Sequence, residues 1–109
     1  PVTAELQQLI TSSSNVKPDF SRPKERLEQF DLASLAMVGT LQKNGLMWAL
    51  VRDPDGSIER IQPGNYMGSN HGQITNLSES SIELIEIVSS GEGWLERPNI
   101  LELKPSEGN

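Results

Sequence analysis

This sequence has no cysteine, a single histidine and few aromatics. Without cysteine there is no disulfide framework, no thiolate metal site and no thiol nucleophile, and either redox compartment is compatible. With His71 as the lone imidazole, a metal or nucleophilic centre would need partners that the surrounding Gly- and Asn-rich loop does not supply. No apolar run approaches the roughly 18 residues that cross a bilayer. Basic residues are scarce: nine Lys and Arg stand against fifteen Asp and Glu, for a formal charge of −6. Such a surface repels a phosphate backbone unless bases are concentrated locally. The imbalance lies mainly beyond residue 34, so the C-terminal two thirds are a poor nucleic-acid surface.

What is present suits one small core. A chain of 109 residues is too short for two independent ones. The densest apolar stretch runs from Leu35 to Gln62, centred on Leu46–Val51, and strand-like runs continue from there with turn signals at short intervals. That pattern predicts an all-β fold, a small β-sandwich of about six to seven short antiparallel strands with a flexible N-terminal extension. We place the extension at residues 1–26, the β domain at 27–103 and a disordered tail at 104–109.

In the extension, Val2, Leu6, Leu9 and Ile10 share one side at helical spacing. A helix this short is marginal in water and would order only by docking; a partner-binding helix and a frayed end both fit. Residues 11–26 are Ser-rich, carry Pro18 and Pro23 and read as an extended linker, with Phe20 a lone aromatic anchor. Residues 27–34 form an irregular lead-in or short helical turn on the rim of the domain.

The first strand is expected over Leu35–Gln42, and Asn44-Gly45 forms a hairpin turn because both tolerate positive φ. The second, Leu46–Arg52, is apolar almost throughout and should be central with both faces covered. Asp53-Pro54-Asp55-Gly56 is a turn; its resemblance to a calcium loop fails on the position of the glycine and the missing twelfth-position Glu. In the third strand, Ser57–Gln62, the opposite parity of Ile58 and Ile61 suggests a bulge or an early end. Gly64, Gly68 and Gly72 mark a winding crossover whose backbone approaches a strand closely. Further strands are expected over Gln73–Leu77, Ile82–Val88 and Trp94 to about Leu103. Pro98 puts the last at an edge, or at a change of sheet. Glu79, Glu83, Glu86 and Glu92 are best explained as a solvated face. Trp48 and Trp94 read first as core residues.

The stretches LEQFDLASLAMVGTL (27–41), WALVRDPDGSIERIQPGNYMGSNHGQI (48–74) and IELIEIV (82–88) together resemble the PilP family of type IV pilus assembly lipoproteins. The resemblance covers roughly residues 27–103. It implies a β-sandwich similar to the homology region of GspC, and a bridging role rather than catalysis, with no cofactor. It further implies a periplasmic chain held at the inner membrane by a lipid on an upstream cysteine that this sequence does not contain. The implied partners are the inner-membrane PilN/PilO complex, met by the N-terminal segment, and the outer-membrane secretin PilQ, met by the β domain. On this reading Leu6, Leu9, Ile10 and Phe20 are candidates for the first contact. Thr40, Gln42, Arg60 and Gln62, outward on the first and third strands, are candidates for the second, by strand addition at a polar edge. A rival reading is a generic small barrel binding a peptide or other ligand through Trp94, Tyr66 and Arg52.

Overall fold

The computed structural model describes residues 17–104. Seven strands follow two short 3₁₀ turns, Arg26–Gln29 and Leu32–Ser34. They are β1 (Ala36–Lys43), β2 (Leu46–Arg52), β3 (Ile58–Ile61), β4 (Tyr66–Met67), β5 (Gly72–Leu77), β6 (Ser81–Ser90) and β7 (Gly93–Glu102). They form two antiparallel sheets, a three-stranded one in the order β1-β2-β3 and a four-stranded one in the order β4-β5-β6-β7. The expected β-sandwich is what forms. The one strand without a sequence signal is β4, since two residues in a Gly-rich loop show no alternation.

Turn chemistry sets the strand order. Asn44 and Gly45, at φ 55° and 79°, close the β1–β2 hairpin. Between β2 and β3 the Asp53 carbonyl accepts the Gly56 N–H at 3.0 Å. The Asp53 side chain ties the same turn, its Oδ1 accepting the N–H groups of Asp55 (2.8 Å) and Ser57 (3.1 Å). The crossover between the sheets ends at Gly72, where any Cβ would sit 2.6 Å from Leu84 Cδ1 and 2.8 Å from the Met67 carbonyl. Here the backbone does approach a strand as the glycine spacing suggests.

The core lies between the sheets. Met37, Ala49, Val51 and Ile61 from the first meet Met67, Ile74, Ile82 and Leu84 from the second, and Leu27 and Leu35 of the lead-in join them. Apart from Ala49, burying side chains of this size contributes roughly 1.5–3 kcal/mol each, and these ten residues form the core. β6 and β7 pair along their whole length, from Ser81↔Glu102 to Ser90↔Gly93. Pro98 sits in β7 at the sheet margin, where its missing donor is harmless. Beyond it the chain reaches the other sheet: the Lys104 N–H donates to the Met37 carbonyl at 2.9 Å.

Three expectations change. β3 carries no bulge: Ile58 pairs with Arg52 and points outward, and only Ile61 enters the core. The bulges are in β1, at Val38, and in β5, at Thr75. β2 is central but not covered on both faces, because Leu46 is exposed while Ala49 and Val51 are buried. Glu86 is no solvated carboxylate. It lies on the inner face, buried, and its Oε1 accepts from Arg97 (2.9 and 3.2 Å) and Asn99 (3.1 Å) of β7. Arg97 is its direct cross-strand neighbour, so one edge strand brings in the cation that a buried carboxylate requires.

Candidate partner-binding surfaces

The lead-in is held by charge. Arg22 makes a two-pronged contact with Glu28, Nη1 to Oε2 at 2.9 Å and Nη2 to Oε1 at 2.8 Å. Glu28 is 4% exposed, so its negative charge depends on this partner. Glu28 Oε2 also accepts the Glu25 N–H at 2.7 Å. Burial alone would raise the Glu28 pKa, but the Arg22 hydrogen bonds and the Glu25 N–H outweigh it and hold it below the usual carboxylate range. The Arg22 guanidinium lies 3.4 Å above the Tyr66 ring centre. Glu25 Oε1 accepts from the backbone N–H of Tyr66 at 3.1 Å, and the Gly68 N–H donates to the Leu27 carbonyl at 3.0 Å. A second clasp joins the lead-in to the first sheet, where Arg26 pairs with the buried Asp53. Burial would raise the Asp53 pKa too; Arg26 and the Ser57 and Asp55 N–H groups pull it down. Asp53 therefore has its oxygens committed to a turn and a guanidinium.

Sequence reasoning missed these clasps. Charges in a proline-bearing segment are ordinarily solvated. The one available signal, Glu28 three residues after Glu25 at a helix start, lacks the Ser or Thr that usually marks a capping box.

The same segment lies over the outer face of the second sheet. Pro18 is buried, and a groove of about 340 Å³ runs between the segment and β5–β7, lined by Arg22, Tyr66, His71, Gln73, Ile85 and Glu96 among others. Phe20 is 71% exposed, yet its ring is 5.9 Å from His71 and 6.0 Å from Trp94. His71 stands at φ 57° in the crossover loop. Its pKa is lowered, first by burial and then by the charge of Lys24, against the opposing pull of Glu28. Its ring neighbours are Phe20 and Trp94, and with its backbone in the left-handed region of the crossover it fits a loop-ordering role.

The remaining candidates separate. Leu6, Leu9 and Ile10 lie outside the described residues. Thr40 and Gln42 are not outward: they pair with Ala49 and Met47 and share the face that Ala49 turns to the core. The bulge at Val38 is the reason, since one extra residue reverses which face every later side chain occupies. Thr40 is half-buried, and Gln42 is exposed near the hairpin end. Gln62 lies just past β3, half-buried, with its N–H donated to Asn65 Oδ1 at 2.8 Å. Arg60 does point outward and stacks 5.4 Å from the Trp48 ring centre. Tyr66 and Trp94 lie on the second sheet and Arg52 on the first, so the rival ligand surface is not assembled in one place.

The fold is a small antiparallel β-sandwich clasped by its own lead-in, with aromatic and basic side chains on its outer faces. Residues 1–103 match the family model described as "Pilus assembly protein, PilP", and the chain belongs to that family. It is 42% identical over 105 residues to the type IV pilus inner membrane component PilP of Pseudomonas aeruginosa. That alignment takes in 95% of this chain and 60% of the relative's length, so the chain spans well under the whole of that protein. The structure of a domain from the type IV pilus biogenesis lipoprotein PilP of P. aeruginosa superposes with a TM-score of 0.73 at 45% identity, covering 80% of this chain and all of that one. The solution structure of PilP from the same organism gives 0.71 at 43% identity, over 86% and 85% of the two chains. A domain of the Neisseria meningitidis PilP pilot protein gives 0.66 at 33% identity, over 85% and 82%.

Proposed function

We propose that this chain is the periplasmic part of a type IV pilus adaptor, attached to the inner membrane through a lipid on an upstream residue. Its N-terminal segment engages a PilN/PilO-type inner-membrane complex, and its β-sandwich engages a PilQ-type secretin. The observation that carries this is the extent of the family match: residues 1–103 include the N-terminal segment as well as the sandwich. Leu6, Leu9, Ile10 and the exposed Phe20 are proposed for the inner-membrane contact. For the secretin, the outward Arg60 remains the proposed contact, with the exposed Gln42 near the hairpin end and Gln62 just past β3; Thr40, half-buried on the core-side face, is not one of them.

The test compares two chains in binding to purified PilN/PilO periplasmic domains and to the secretin's N-terminal domains. One is the full sequence; the other begins at residue 17, which keeps Arg22 and Arg26 and so leaves Glu28 and Asp53 paired. The expected result is loss of PilN/PilO binding with secretin binding retained. Loss of both, or of neither, overturns the division of labour.

A further inference from the structure

The two sheets differ in what covers their outer faces, and the first sheet's face has a composition unlike the rest of the molecule. Register puts Leu41 and Lys43 of β1, Leu46, Trp48, Leu50 and Arg52 of β2, and Ile58 and Arg60 of β3 on one side. Leu46 and Ile58 are 53% and 52% exposed. Lys43, Arg52 and Arg60 are exposed as well. These three strands hold one carboxylate, Glu59, which pairs across from Val51 on the opposite side and faces Arg26 at 3.6 Å. An acidic chain thus presents a face whose charges are all positive, set around Trp48 and aliphatic side chains. The outer face of the second sheet instead carries Glu83 and Glu96 beside Ile100 and Ile87.

We propose that this outward face of β1–β3 is a docking surface for a protein partner whose own surface is apolar at the centre and rimmed by carboxylates. Charge complementarity selects the occupant. An indole with a guanidinium stacked on it, inside a ring of aliphatic side chains, is the composition found at the centre of protein–protein contacts. Three cations bind an anionic bilayer only weakly. The proposal rests on the adaptor reading and places one partner contact on a face rather than on a strand edge.

The full chain is titrated with the secretin N-terminal domains and, separately, with the PilN/PilO periplasmic domains. The variants are Arg52→Glu/Arg60→Glu, Leu46→Ser/Ile58→Ser, and Glu83→Lys as the opposite-face control. Thermal melting confirms each fold, and a variant that melts several degrees low is replaced by its single substitution. The expected result is that one partner binds the first two variants at least tenfold more weakly and Glu83→Lys unchanged, with the wild-type affinity falling as salt rises. Binding of the face variants within twofold of wild type, with the wild type bound, overturns the docking face and leaves the adaptor reading standing. Failure of the wild type to bind either partner removes the adaptor reading and the face with it. Vesicles containing about a third phosphatidylglycerol, or a second copy of the chain, bound by the wild type and lost in the face variants would overturn the choice of a protein partner.

Discussion

The two sheets are built from the same alternating strands, yet their outer faces end differently. The second sheet's face is partly roofed by residues 17–22 of its own chain, with Pro18 buried. The first sheet's face has no such roof among the described residues, and Leu46 and Ile58 stay half open. Alternation alone cannot produce this difference, because both faces carry apolar side chains. The clasp at Arg22 does, through its pair with Glu28 and its place over the Tyr66 ring. Where the chain covers itself, apolar outer residues serve the fold; where it does not, they are available to another molecule.

The clasp can be broken most sharply at Arg22. Arg22→Ala leaves Glu28 buried without its cation, and we expect a loss of about 3 kcal/mol in urea unfolding, whereas Ile58→Ser on the open face should shift it by about 0.5 kcal/mol or less. Comparable losses for both would show that the two faces are not distinct. Second in size is Gly72→Ala, whose Cβ would meet Leu84 Cδ1 at 2.6 Å and the Met67 carbonyl at 2.8 Å; overpacking there should cost about 2 kcal/mol. Its counterpart on the open sheet is Gly39→Ala, where the nearest atom is Leu50 Cδ1 at 3.7 Å. That change fits without a clash and should be neutral or stabilise by about 0.5 kcal/mol through a less flexible unfolded chain.

A pH series sharpens the comparison further. Glu28 and Asp53 both have lowered pKa values in the folded chain, from burial outweighed by Arg22 and Arg26 respectively and by backbone N–H groups. The unfolded chain takes up protons at these carboxylates first. Their contribution is therefore complete above about pH 4.5 and is lost as pH falls through the depressed folded values. His71, lowered chiefly by burial, adds a shallow loss that begins below about pH 6.5. In Arg22→Ala the Glu28 part of the acid limb should vanish while the Asp53 part persists. An unchanged acid limb in that variant would mean that the Arg22 pair does not set the Glu28 pKa. The smallest expected effect is Phe20→Ala: at 71% exposure it should alter melting little, while inner-membrane partner binding, measured by titration, should weaken.

Much of the sandwich was legible because turn and strand chemistry are local. Asn44-Gly45, Asp53-Pro54-Asp55-Gly56 and Pro98 each announced a turn or an edge, and the structure has them there. The bulge at Val38 was not legible. An inserted residue is defined by the partner strand it slips against, and that slip moved Thr40 and Gln42 to the core-side face. Glu86 was misread for a related reason: its cation sits on β7, eleven residues along the chain, and only pairing brings the two together.

By itself, the sequence determined the all-β class, the central place of β2, the hairpin turns and, through the motifs in residues 27–88, the family. Those features depend on residues near one another in the chain, where backbone sterics and the period of two act directly. Tertiary structure alone decided which outer face the lead-in covers, which carboxylates are buried with a guanidinium, and that Lys43, Arg52 and Arg60 share one face with Trp48, Arg60 stacked on its ring. Such arrangements depend on register and on contacts between distant segments. A slip of one residue would exchange the two faces and, with them, the surface offered to a partner.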